Sequence, residues 1–258
     1  MTDEFQSWRD YWRFSHSVRH SGRFIHEAFV GQFLQTLADT CGDRVRNVSK
    51  GSVVWRAQLG NEWHKREQDE VTYDEEVPYP SSRMKPLRHT AHEGRVNPKG
   101  LPCLYVASDR LTAMSEVRPW IGANISVAAI EITKDLKLVD FSVGHEAGFP
   151  LFLEDPDAKQ REKAIWNFVD RAFSVPVNPD PVTAEYVPTQ IIAEYFKKQG
   201  MDGVVYKSSL GAGYNLAIFD LDVSEVRSCT LYPVKAVSFE FGDAMIGYSV
   251  LSSNGYMA

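Results

Sequence analysis

The chain is poor in everything that would make a metal or disulfide scaffold. It has only three cysteines in 258 residues, Cys41, Cys103 and Cys229. They are far apart, odd in number and in no CxxC pair, which argues against a zinc site or a disulfide framework. Cys103, inside LPCLYV, reads as a small buried hydrophobe. The seven histidines, including His64, His89 and His92, show no HExxH or comparable ligand spacing, so no metal is expected. No apolar run approaches the roughly 18–20 residues that span a bilayer. The opening MTDEFQSWRDYW has acidic and polar residues where a signal peptide needs a basic start and an apolar run. A cytoplasmic protein without membrane contact is expected. A basic balance is lacking too. The net charge is -6 and the isoelectric point about 5.7, which disfavours general nucleic-acid binding. The local exception is the basic stretch from Arg83 to Lys99, either a solvated loop or a positive wall for a phosphate-bearing ligand.

What is present suits one large domain, or one with a helical extension. Trp8, Tyr11, Trp12, Phe14 and Val18 recur near helical spacing. Ile25, Phe29, Phe33 and Leu37 lie four apart in a second stretch, Phe24 to Leu37. Gly42-Asp43 then ends the helix. Residues 1–48 are therefore expected to form a helical N-terminal cap, and residues 49–258 the main domain. Val53 to Ala57 reads as a short strand carrying Arg56. Residues 60–100, with many charges and four prolines, read as a long loop with little regular structure, of the kind that is functional or disordered.

Beyond that loop the pattern sharpens. Leu101 to Ala107 is a strand, and Ser108-Asp109 caps a helix running to Val117 before Pro119. Ser126 to Ile132 and Leu136 to Asp140 are strands, and 151–174 is helical. Pro176, Pro179 and Pro181 make a rigid connection. Thr189 to Lys198 is a helix closed by Gly200, followed by the strand Val204 to Tyr206, the small-residue loop 208–214 and the strand Leu216 to Phe219. From Tyr232 onward the tail alternates like a strand. No GxGxxG follows a strand and no GxxxxGK[ST] occurs, so a doubly wound nucleotide fold is not indicated. The expected class is α+β, with short strands around one pocket.

The block GRVNPKGLPCLYVASDRLTAMSEVRPW, residues 94–120, resembles the signature of the RES-domain family. Upstream, VVWRAQLG supplies a matching arginine. Downstream, PTQIIAEYFKKQGMDGVVYKSS and YNLAIF resemble the family's later helix–strand block. The resemblance implies an ADP-ribosyltransferase-like fold with mixed or antiparallel sheets around an NAD pocket. It implies NAD⁺ as substrate rather than as a resident cofactor, and cleavage of its nicotinamide–ribose bond by a glycohydrolase or phosphorylase. It further implies a toxin of a toxin–antitoxin pair, with an Xre-type antitoxin as partner. A homo-oligomer is left open. The matching positions are Arg56, Arg95, Tyr105, Glu116 and Ser208, or Ser209 in place of Ser208, and Asn215 is a further candidate for orienting the nearby loop.

The chemistry suits these residue types. Breaking the bond develops oxocarbenium character on the ribose, which a carboxylate stabilises. Nicotinamide leaves neutral, so a second acidic carboxyl is unnecessary, unlike in ordinary glycosidases. Within this block Glu116 is the expected catalytic carboxylate, although the bare sequence favours a surface helix glutamate paired with Arg118 or a lysine. Arg56 and Arg95 would grip pyrophosphate or ribose hydroxyls through planar, permanently charged forks. Tyr105 would stack on the nicotinamide or adenine ring, and reads equally as a buried core tyrosine. Ser208 or Ser209 would bond a ribose or phosphate oxygen. ADP-ribosyl transfer to a protein, and a non-catalytic NAD-binding or interaction module, are the alternatives.

Overall fold

A computed structural model of the chain describes residues 4–88, 90–146, 148, 152, 154–175 and 184–240. His89, Pro176, Pro179, Pro181 and the tail beyond 240 lie outside the described residues. The elements are α1 (Asp10–His20), α2 (Ala28–Asp39), β1 (Val45–Val48), β2 (Val53–Leu59), β3 (Glu62–Gln68), β4 (Val71–Val77), β5 (Leu104–Ala107), α3 (Arg110–Glu116), β6 (Asn124–Ile132), β7 (Leu136–Asp140), α4 (Ala158–Ser174), α5 (Val187–Lys198), β8 (Gly203–Lys207), β9 (Tyr214–Ile218) and β10 (Ser224–Pro233). Eight strands form one sheet in the order β1-β7-β8-β9-β5-β2-β6-β10. Only β7 and β8 run parallel; the other described pairs are antiparallel. The fold is α+β with a mixed sheet, as the sequence implies.

Strand residues point alternately to the two faces of a sheet. Here Val139, Val204, Tyr206 and Ala217 share one core with α1, α2, α4 and α5. Their neighbours Leu138, Val205, Leu216 and Ile218 enter a second core with Ala128, Ile130, Tyr79 and Met84. Burial on both faces explains why β8 reads as a continuous apolar run rather than an alternating one. The helical core is aromatic. Phe14 stacks on Phe33 at 4.6 Å and Phe141 meets Phe173 at 4.3 Å. Such pairs contribute about 0.5–1.5 kcal/mol each beyond area burial. Helix α4 begins with a capping box, Asp157 and Gln160 satisfying each other's backbone N–H groups.

Several boundaries differ from expectation. Helix α2 starts at Ala28, so of the four-apart series Phe33 and Leu37 are buried while Ile25, before the helix, is about nine-tenths exposed. The 1–48 segment ends in β1, an edge strand of the main sheet. Helix α4 begins at Ala158, later than the pattern suggests. The strand β10 occupies 224–233, upstream of the region where alternation was read, and 234–240 carries no strand.

The largest correction concerns the long polar loop. Residues 62–77 form a separate two-stranded hairpin, with Glu62 opposite Val77 and Gln68 opposite Val71. It is held by ladder bonds and by cross-strand charges such as Arg66 to Glu75 at 2.6 Å, all in solvent. Its turn places Asp69 and Glu70 at φ of 52° and 65°. Glycine adopts that region freely, whereas L side chains pay about 1–2 kcal/mol. Glu70→Gly is therefore expected to raise the melting temperature by about 1–3 °C. An unchanged or lower midpoint in a thermal scan would show that the turn is not strained in solution.

Candidate active site

The strand β5 leads directly into the short helix α3. Asp109 caps that helix, its Oδ1 accepting from the Thr112 N–H at 2.8 Å and its Oδ2 from the Thr112 hydroxyl at 2.7 Å. Burial works against the ionised Asp109, yet the bonds from Thr112 and Ser108 hold its pKa below the usual carboxylate value. The loop 208–214 is sewn onto the same corner. Gly213 N–H donates to Thr112 Oγ1 at 3.0 Å, and Tyr214 N–H donates to Ser108 Oγ at 2.9 Å. A Cβ on Gly213 would lie 2.0 Å from Asp109 Oδ2 and 2.6 Å from Thr112 Oγ1, so only glycine permits this approach. The consequence is a fixed relation between the end of α3 and the start of the loop.

At that junction sits Glu116, the last residue of α3. Its Oε1 accepts from Ser208 Oγ at 2.6 Å and from Asn215 Nδ2 at 2.7 Å. Ser208 and Asn215 are buried, at 5% and 8% exposure, while the glutamate itself is exposed. Ser208 Oγ in turn accepts from the N–H groups of Leu210 and Gly211, which fixes its hydroxyl proton toward the carboxylate. Oε2 of Glu116 takes no hydrogen bond, and Glu116 makes no salt bridge, among the described residues. The structural pairing with Arg118 is thus not formed. Asn215 orients the glutamate itself rather than only the loop.

The floor beneath Glu116 is one row across the sheet. Trp55 pairs with Ala107, Ala107 with Asn215, and Asn215 with Tyr206. All four line a cavity of about 300 Å³, together with Glu116, Arg56 and Tyr105. Tyr206 was not foreseen. Its signal is its place two residues before Ser208 in VVYKSS, which sets both on one strand face. Burial raises the Tyr206 phenol well above its ordinary pKa; Arg95 opposes that shift and Glu116 adds to it.

The sheet opens beside this row. Strands β2 and β5 share a single paired position, Trp55 with Ala107. The carbonyl of Tyr105 accepts instead from Arg56 Nη1 at 2.9 Å. Burial lowers the Arg56 pKa from its ordinary value, and its Nε is buried with no acceptor among the described residues. A second cavity of about 720 Å³ adjoins here and also includes Arg56 and Tyr105. The Tyr105 hydroxyl is committed elsewhere, donating to Asn97 Oδ1 at 2.7 Å and accepting from Val96 N–H at 2.9 Å.

The remaining candidates are placed outside the cavity linings. Arg95 donates to the Val175 carbonyl at 3.0 Å, beyond the end of α4, and its guanidinium lies 5.6 Å from the Tyr206 ring. It touches the site through Tyr206. Ser209 turns away, donating to the Ser174 carbonyl at 2.5 Å. The geometry therefore separates the two adjacent serines. Ser208→Ala is expected to lower turnover about tenfold, the size of one hydrogen bond to a charged group. Ser209→Ala is expected to change it less than Ser208→Ala. A steady-state comparison in which Ser209→Ala is the more damaging would reverse this assignment. Among the described residues, no group of three or more His, Cys, Asp or Glu is placed to hold a metal ion.

The RES domain model matches residues 72–241. The chain belongs to the RES-domain family. The RES match contains Arg95, Tyr105, Glu116, Ser208 and Asn215; Arg56 precedes it, and shares a cavity with Tyr105, Glu116 and Asn215. No curated protein matches. A solved chain from the crystal structure of the M. tuberculosis MbcT–MbcA toxin–antitoxin complex is similar at 17% identity, covering 76% of this RES chain and 92% of that one, with a TM-score of 0.39. No helix among the described residues is long and apolar enough to cross a membrane.

Proposed function

We propose that the chain cleaves the nicotinamide–ribose bond of NAD⁺. The observation that carries this is the Glu116 carboxylate, held on Oε1 by Ser208 and Asn215 and open on Oε2, at a cavity shared with Arg56. In this reading the pyrophosphate lies against Arg56, where an anion offsets the cost of a partly buried, incompletely bonded guanidinium. The nicotinamide riboside lies in the smaller cavity between Glu116 and the Trp55–Tyr206 row. Cleavage sends the C1″–N1 electron pair onto the pyridinium nitrogen, so nicotinamide leaves neutral. The positive charge developing on the ribose faces Glu116 Oε2, which the bonds on Oε1 hold in a fixed orientation. An acceptor oxygen then bonds to C1″ and gives up its proton.

Glu116 takes its bonds from neutral donors rather than from an arginine, which supports a carboxylate kept free to answer a substrate cation. Water as acceptor yields ADP-ribose and makes the chain a glycohydrolase. Inorganic phosphate yields ADP-ribose-1″-phosphate and makes it a phosphorylase. The exposure of Glu116 also suits a larger acceptor, such as a protein side chain. Acting on the cytoplasmic NAD⁺ pool, such an enzyme is a toxin, and an Xre-type antitoxin is its expected partner.

The test is a time course of NAD⁺ with purified protein, with and without phosphate, resolving both products. Release of nicotinamide with stoichiometric ADP-ribose or its phosphate is the expected result. Labelled macromolecule without free ADP-ribose products would replace hydrolysis or phosphorolysis by transfer.

A further inference from the structure

The larger cavity excludes Glu116 and is walled, beyond Arg56 and Tyr105, mainly by residues 80–94. This wall follows the β3–β4 hairpin. Arg56 and Gln58 are alternate residues of β2, so their side chains leave one face about 7 Å apart. Gln58 Nε2 donates to the Arg83 carbonyl at 3.0 Å, which ties the Arg83 main chain to β2 two residues from Arg56. The Arg83 guanidinium carbon lies over the Tyr79 ring, 3.7 Å from its centroid. A cation held over a ring face in this way keeps its planar fork from swinging freely.

The charged neighbours of Arg83 are engaged elsewhere. Lys85 donates to the carbonyl oxygens of Leu221 and Ser224. Glu93 Oε1 accepts from Gln190 at 2.9 Å, and Glu62 faces His64 at 3.8 Å. Arg83 itself forms no ion pair among the described residues. A permanent cation, oriented by an aromatic ring and lacking a carboxylate, thus lines the same cavity as Arg56.

We propose that Arg83 binds a phosphate monoester on the distal ribose of the dinucleotide, so that NADP⁺ is preferred over NAD⁺. This rests on the nicotinamide-cleavage reading above. With the pyrophosphate at Arg56, the adenylate half extends into the larger cavity. Arg83 is a specificity-determining residue, since it lines the cavity that excludes Glu116.

The experiment measures kcat/KM for NADP⁺ and NAD⁺ in the wild type, Arg83→Ala and Arg88→Ala. Arg88 is paired with Asp222 and controls for loss of a nearby charge. The NADP⁺ to NAD⁺ ratio is expected to exceed one in the wild type. It should fall by about tenfold to a hundredfold in Arg83→Ala, the size of one charge-assisted hydrogen bond, and hold in Arg88→Ala. A wild-type ratio below one, an unchanged ratio in Arg83→Ala, or an equal fall in both variants overturns the proposal. If the wild type consumes neither dinucleotide, the cleavage reading fails separately. The same ratio is then read from equilibrium binding of NADP⁺ and NAD⁺ to the Glu116→Gln protein, with and without Arg83→Ala. A ratio that Arg83→Ala leaves unmoved there also rejects the subsite.

Discussion

Replacing Glu116 by glutamine is expected to cut nicotinamide release by about a hundredfold to a thousandfold or more, as for loss of one preorganised electrostatic contact to a transition state. The substitution changes charge at constant shape. A glutamine carbonyl oxygen still accepts from Ser208 and Asn215, the two donors that hold Oε1 in the native protein. The melting temperature should therefore stay close to that of the wild type. KM should change little, because the carboxylate answers a charge that develops only as the bond breaks. Turnover within about threefold of wild type would remove Glu116 from the chemistry. A collapse of the melting temperature would instead assign it to the fold.

Arg56→Met is expected to separate stability from activity. The arginine is partly buried beside the β2–β5 opening, with one bond to the Tyr105 carbonyl and a buried Nε that has no acceptor among the described residues. Burying a cation with incomplete bonding is costly, and an apolar side chain of similar length commonly restores or adds stability. The variant should melt at or above the wild-type temperature. Its kcat/KM should fall about tenfold to a hundredfold, mainly through KM, because the pyrophosphate loses a charged partner. A variant that melts lower yet turns over normally would make Arg56 a structural residue only. This trade is the usual mark of a group retained for its ligand.

The sequence carried the site further than it carried the fold's margins. β2, β5, α3, α5, β8 and β9 were legible because each pairs an apolar pattern with a clear stop, Asp109 and Gly200 among them. Those elements bring Arg56, Tyr105, Glu116 and Asn215 to one cavity, with Ser208 bonded to Glu116. The β3–β4 hairpin was invisible for a physical reason. It has no buried face, so EWHKREQ and VTYDEEV offer no hydrophobic alternation to read. Ile25 misleads in the opposite sense, repeating the core spacing of Phe33 and Leu37 while standing in solvent. The place of Arg95 depends on the chain just beyond α4, and that of Tyr206 on strand register. Neither is a local property of sequence. The choice between Ser208 and Ser209 likewise needed the strand direction after β8, which turns adjacent residues to opposite partners.

The most direct measurement follows free nicotinamide from NAD⁺ labelled on the nicotinamide ring, using the purified chain. The account predicts accumulation of labelled nicotinamide in step with loss of NAD⁺, slowed by about a hundredfold or more in Glu116→Gln. Folded protein that binds NAD⁺ and leaves the label on intact dinucleotide, with water and with phosphate, would contradict it.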